Sequence, residues 1–270
     1  MTDRIVERAG ARLALEEAGP RDGAPIVLLH GLTATRRYVV MGSKALQRGG
    51  FRVVSYDARG HGRSSPAPSY RYEDLAADLL AAMDAVGIGR AVLAGASMGA
   101  HTLLRVALDA PERVAGVVAI TPAFDPAVPP DLERWDALAD GLRRDGIDGF
   151  VDAYRVEDEV PEAWAGTVRT VLRQRMAQHD DLRAVADALQ QVPRSRPFAS
   201  LEELRAIAVP TVVVADRDEV DPGHPLAVGE AYAATIPGAR LLVEEPGRSP
   251  LAWQGGQLSR VIAELAAEAA

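Results

Sequence analysis

Through the first 120 residues, short apolar blocks alternate with longer stretches of helical period. Ile26-Val27-Leu28-Leu29, Val53-Val54-Ser55-Tyr56, Ala91-Val92-Leu93-Ala94 and Val117-Val118-Ala119-Ile120 are nearly continuous apolar runs. Runs of this kind read as strands buried on both faces, the pattern of a parallel sheet. Between them the clearest helix is Tyr72 to Val86, where Leu75, Leu79, Leu80, Met83 and Val86 mark one face at spacings of three or four. Residues 2–18 read as two antiparallel strands turning at Ala9-Gly10. Alternation of strand and helix implies right-handed crossovers and a doubly wound α/β sheet with helices on both faces.

The rhythm breaks at Thr121-Pro122. From Asp125 to about Ser200 the chain is charged, helical in period and free of strand-like runs, with Pro129-Pro130, Pro161 and Pro193 as punctuation. Strand character returns at Pro210-Thr211-Val212-Val213-Val214 and at Arg240-Leu241-Leu242-Val243, each followed by a helical pattern. The last helix runs from about Gln257 to the C-terminus. The pattern predicts one sheet domain interrupted by a helical insertion.

Composition narrows the chemistry. The 270 residues are 48% hydrophobic and 25% charged, the balance of a folded globular chain. A net charge of −8 disfavours nucleic acid as a partner. The apolar stretch Val114 to Phe124 is too short to span a bilayer, so no membrane partner is expected. No apolar run follows Met1-Thr2-Asp3-Arg4, which predicts no secretory signal and a cytoplasmic setting. The absence of Cys excludes thiol catalysis and Cys-built metal sites. Five His remain, His30, His61, His101, His179 and His224, and any imidazole chemistry must draw on them. Their scatter recommends no metal site, and the pairs Gly60-x-Gly62 and Gly87-x-Gly89 lack the third glycine of a dinucleotide fingerprint. No cofactor is expected.

The strongest chemical motif is Gly95-Ala96-Ser97-Met98-Gly99, directly after one strand block and directly before a helical run, His101 to Leu108. A sharp strand-to-helix turn there would expose the Ser97 hydroxyl near a helix N-terminus, whose free N–H groups favour developing negative charge. His30-Gly31-Leu32 ends the strand block at 26–29, where the Leu32 amide can join that of Met98 as an oxyanion hole. Tyr56-Asp57-Ala58-Arg59-Gly60-His61-Gly62-Arg63-Ser64 forms a Gly-rich turn after the next strand.

With these motifs and Pro111-Glu112-Arg113-Val114, the chain resembles the α/β-hydrolase superfamily, in particular its capped esterases, C–C hydrolases and haloperoxidase-like proteins. The resemblance covers nearly the whole chain. It implies an α/β-hydrolase core over 1–122 and 201–270, a helical cap over 123–200, and a small-molecule cleft between them. It also implies that His30 and His61 structure turns; His101, one helical turn beyond Ser97, is expected to pack inside, and His179, within His179-Asp180-Asp181, to be a solvated cap residue. The triad acid is expected after the strand 211–214, at Asp218 in preference to Asp216 or Asp221, with Asp125 as the location some relatives use.

The base is expected in a Gly-His-Ser-Pro segment after the final strand. Here that segment reads Gly247-Arg248-Ser249-Pro250, so Arg248 stands at the base position. A guanidinium has no acceptor and cannot take the serine proton; beside Asp218 it is expected to form an ion pair. Four readings stay open. His224, six residues past Asp218, supplies the base; or the protein is a small-molecule-binding pseudoenzyme with Arg248 as an anion anchor. Otherwise the pocket serves a lyase or cofactor-free reaction, or Arg248 is an altered residue in a once-active hydrolase. The expected function is a serine hydrolase acting weakly or atypically on a small ester or carbonyl compound through Ser97. The cap aromatics Trp135, Phe150, Tyr154 and Trp164 are expected to build the cap's own core rather than line the pocket. Arg36 and Arg37 face either cleft or solvent. A homo-oligomer is among the open quaternary options.

Overall fold

The computed structural model describes residues 2–217, 221–248 and 253–269. Eight strands form one sheet: β1 (Thr2–Arg8), β2 (Ala11–Ala18), β3 (Pro25–Leu29), β4 (Arg52–Tyr56), β5 (Ala91–Ala96), β6 (Val114–Ile120), β7 (Thr211–Ala215) and β8 (Arg240–Val243). Their order is β1-β2-β4-β3-β5-β6-β7-β8. β1 and β2 pair antiparallel, as does β2 with β4, and every later pairing is parallel. The expected mixed, mostly parallel doubly wound sheet is present. β3 to β6 come out one to three residues longer than their apolar blocks because flanking residues continue the ladder, while β7 and β8 keep the length of theirs.

The helices are α1 (Ala45–Arg48), α2 (Tyr72–Ala85), α3 (Met98–Asp109), α4 (Leu132–Tyr154), α5 (Val156–Glu159), α6 (Glu162–Met176), α7 (Leu182–Gln191), α8 (Leu226–Thr235) and α9 (Gly255–Glu268). Alternation along the strands divides the core. Val27, Leu93, Val117 and Val213 face a cluster with Leu79, Met83, Leu103, Leu104 and Tyr232 of α2, α3 and α8. Their neighbours Ile26, Leu28, Val92, Val118 and Val212 face Leu46 of α1 and Leu258, Ile262 and Leu265 of α9. Both faces are covered, which is why these strands read as continuous apolar runs rather than alternating ones.

Between β6 and β7, which are adjacent in the sheet, the described chain runs through α4 to α7 without a strand. These helices bury Leu138, Leu142, Phe150, Leu172, Met176, Val185 and Leu189 together, with Trp135 and Tyr154 packed against them. Three of the four singled-out aromatics therefore join this helical cluster. Gly146 breaks α4 at φ 63°.

The strand order places a switch between β3 and β5. The chain leaves β3 toward β4, then crosses back over β3 to β5. The crevice outside the carboxyl ends of two such strands is where open α/β sheets bind ligands. The motif loops at 30–32 and 95–99 leave those two strands.

Candidate active site

Ser97 sits at the turn from β5 into α3 with φ 49° and ψ −115°. This conformation is disfavoured for a residue with a Cβ, costing on the order of 1–3 kcal/mol, and persists only where the surroundings over-determine it. They do so here. The Ser97 amide donates to Ile120 O at 2.9 Å, and Ser97 O accepts from the His101 amide at 3.0 Å. The flanking glycines are required by close approach: a Cβ on Gly99 would lie 2.3 Å from Leu29 O, and one on Gly95 would lie 2.5 Å from the Gly99 carbonyl carbon. The turn is thereby pressed against the end of β3, and a Cβ on Gly31 would sit 3.3 Å from Ser97 Cβ. Among the described residues, neither the Leu32 nor the Met98 amide donates a hydrogen bond, and no side chain bonds Ser97 Oγ. Ser97 itself is half-buried at the N-terminus of α3.

Four of the five imidazoles are fixed elsewhere. His30 Nε2 accepts from the Ala58 amide at 2.9 Å, with Nδ1 2.8 Å from Gly31 O. His61 Nε2 accepts from the Thr33 amide at 3.3 Å, with Nδ1 3.0 Å from Arg59 O. Both hold turns, in keeping with the sequence reading. His101 Nε2 accepts from the Ala123 and Phe124 amides at 3.0 and 3.1 Å, which makes Nδ1 the protonated nitrogen, donating to Tyr72 Oη at 3.0 Å. His101 packs inside as expected. His179 corrects the reading: it is buried, not solvated. Its Nδ1 accepts from the Gly62 amide at 2.9 Å and its Nε2 donates to Thr33 O at 2.9 Å, so it ties the α6–α7 turn to two core loops. The two aspartates that follow it point to solvent, but they alone face outward or cap α7. Burial lowers the pKa of all four, that of His101 to about 3 and that of His179 to about 4. They are neutral hydrogen-bonding latches.

His224 is different. It lies on the loop before α8 with Nδ1 2.8 Å from Asp221 Oδ2. Burial alone would lower its pKa, but the adjacent Asp221 carboxylate, followed by Asp216, outweighs that and holds it above its ordinary value. Arg175 of α6 opposes them. In turn, His224 and the cationic groups Arg175 and Arg134 keep the Asp221 carboxyl below its usual range despite burial. The charge of His224 is felt at His101, one turn along α3 from Ser97, and that of Asp221 at Tyr154 of α4. The 221–224 loop therefore lies within electrostatic reach of both the Ser97 helix and the α4–α7 cluster.

Asp218, the expected acid, lies outside the described residues, as do Ser249 and Pro250. The i, i+3 spacing of Asp221 and His224 was the available signal for their pairing. Asp125 is engaged locally, its Oδ1 accepting from the Ala127 amide at 2.8 Å. Arg248 is exposed, and its amide donates to Glu245 O at 3.2 Å. Arg36 and Arg37 split: Arg36 is buried and paired with Asp57, and Arg37 is exposed. Asp57 also accepts from the Arg36 and Arg63 amides at 2.8 and 3.0 Å, which organises the Gly-rich turn.

Comparison with known proteins agrees with this fold. The model of the α/β-hydrolase fold matches residues 24–153. The putative carbamate hydrolase RutD of Variovorax paradoxus is 31% identical over 214 residues, covering 77% of this chain and 78% of that protein. The chain belongs to the α/β-hydrolase family. A non-heme chloroperoxidase of Streptomyces lividans is 34% identical over 143 residues, 52% of this chain and 50% of that protein. Among solved structures, a thermophilic esterase from Thermogutta terrifontis superimposes with a TM-score of 0.82 at 26% identity, covering 100% of this chain and 99% of that one. The likeness to the esterase covers the whole chain, including the α4–α7 region and the last two strands beyond the segment that the family model matches. No helix among the described residues is long and apolar enough to cross a membrane.

Proposed function

We propose that this α/β-hydrolase is a serine hydrolase of small carboxylic esters or related acyl compounds, with Ser97 as nucleophile and His224 as base. The reading is carried by one observation: of five imidazoles, only His224 faces a carboxylate and is held above its ordinary pKa, while four are neutral latches. The esterase and carbamate-hydrolase relatives favour the same reaction class.

In this scheme Asp221 orients the His224 ring through Nδ1, leaving Nε2 to accept the Ser97 proton as Oγ attacks the substrate carbonyl. The carbonyl oxygen becomes an oxyanion facing the Leu32 and Met98 amides. Collapse of the tetrahedral intermediate expels the alcohol, which takes the proton back from His224. Water then attacks the acyl-serine with His224 again accepting a proton, releasing the acid and restoring Ser97. No described side chain bonds Ser97 Oγ, so contact with His224 is made through a bridging water or by closure of the 221–225 loop. Transfer over that gap makes slow turnover the expectation. Arg248 has no part in it, since a guanidinium cannot act as base.

The test is p-nitrophenyl butyrate hydrolysis by wild type, Ser97→Ala and His224→Ala. Turnover lost in both variants supports the reading. Turnover that survives in Ser97→Ala, or that appears only on Arg248→His, overturns it.

A further inference from the structure

A cavity of about 440 Å³ opens on the sheet face covered by α1 and α9, within the range of about 300–1,000 Å³ usual for small-molecule sites. None of Leu32, Ser97, Met98 or His224 lines it. Its apolar floor is Leu28, Val40 and Val53. Six buried side-chain polar atoms lack a hydrogen-bond partner among the described residues, and three of them belong to residues of this one cavity: Glu16 Oε2, Arg36 Nε and Gln47 Oε1. Buried polar groups are normally paired, so such a concentration marks a place where something else supplies the partners.

The geometry says what kind of group that is. Arg36 is anchored through Asp57, and its free Nε lies 3.8 Å from Glu16 Oε2. That gap is too long for a direct hydrogen bond but suits one intervening oxygen that accepts from the guanidinium and donates to the carboxylate. A hydroxyl does both. Water does as well, yet the cavity greatly exceeds the roughly 30 Å³ share of one water. At the mouth stand three exposed cations, Arg37, Lys44 and Arg48, in a chain whose net charge is −8. The deep groups call for a hydroxyl, the floor for an apolar body and the mouth for an anion.

We propose that this cavity is a second ligand site for a small hydroxylated organic carboxylate. Its hydroxyl bridges Arg36 Nε and Glu16 Oε2, and its carboxylate lies among Arg37, Lys44 and Arg48. The site stands independently of the Ser97 chemistry.

Lys44 is the only lysine of the chain, which gives the site its own reporter. The experiment titrates the full chain with β-hydroxyhexanoate, hexanoate and hexanediol by calorimetry. It follows acetylation of Lys44 by mass spectrometry in the same mixtures. Expected are saturable binding of β-hydroxyhexanoate, at least tenfold weaker binding of the other two, and slowed Lys44 acetylation at saturation. A tenfold loss is also expected in the surface double variant Arg37→Glu/Lys44→Glu. No saturable binding overturns the proposal and leaves a water-filled cavity. Equal affinity for hexanoate, an unchanged acetylation rate, or an unaffected double variant each overturn it too. Ester hydrolysis by Ser97 is measured separately, so neither result decides the other.

Discussion

The two sides of the candidate site are built in opposite ways. On the Ser97 side, strained backbone, two glycines in forced approach and the imidazoles of His30 and His101 fix every neighbouring loop. On the other side, among the described residues, His224 pairs with Asp221, which holds the imidazole above its ordinary pKa. The first half is an anvil that positions a hydroxyl and two amides. In the proposed mechanism the second supplies the group that moves the proton. Proton transfer needs a nitrogen that is not already consumed by a structural hydrogen bond, and burial has consumed the other four.

The largest effect tests the first half. Ser97→Ala should lower ester turnover by about 10³-fold or more with little change in stability, as measured by initial rates and a melting curve. Residual turnover within tenfold of wild type would move the chemistry off this turn. Next, His224→Ala should cost about 10²–10³-fold in kcat, in the range of general acid–base catalysis, again with the fold intact. By contrast, substituting a latch should cost stability rather than chemistry. His179→Ala removes two buried hydrogen bonds between the α6–α7 turn and the core. The expected loss is about 2–3 kcal/mol in denaturant unfolding, with kcat falling less than the His224 variant's.

The latches also set a pH dependence. Their folded pKa values lie below the ordinary 6.5, so the unfolded chain binds more protons as acid is added. Stability should therefore be full above about pH 6.5 and fall progressively toward pH 4, where His179 titrates. His224, raised by Asp221, works in the opposite sense, losing its smaller contribution as pH rises through its folded pKa. A denaturation midpoint that is flat from pH 7 to pH 4 would contradict the latch assignment. The smallest effect is expected at the exposed Arg248, where Arg248→Ala should leave kcat/KM within about threefold of wild type.

The fold was legible because its signals are local. Apolar blocks such as Val117 to Ile120 admit only a doubly buried strand, and Gly95-x-Ser97-x-Gly99 admits only a turn in which both glycines touch backbone. The functions of the histidines were less legible, because they depend on contacts across the chain. His179 is followed by two aspartates and reads as solvated, yet its partners Thr33 and Gly62 are 146 and 117 residues away. His101 finds Tyr72 and the Ala123 and Phe124 amides, again across the fold. The Asp221–His224 pair is written locally, three residues apart, and His224 is among the bases the sequence offers, but its pairing with Asp221 rather than Asp218 is not legible there.

The most direct test of the central claim is the pH dependence of kcat/KM for Ser97-dependent ester hydrolysis in wild type and Asp221→Asn. With His224 as base, wild-type kcat/KM should rise with pH through an apparent pKa above 6.5, since only the neutral ring accepts the proton. Removing the Asp221 charge should move that limb to lower pH and reduce the plateau. An acid limb that stays in place in Asp221→Asn, and persists in His224→Ala, would show that another group takes the serine proton.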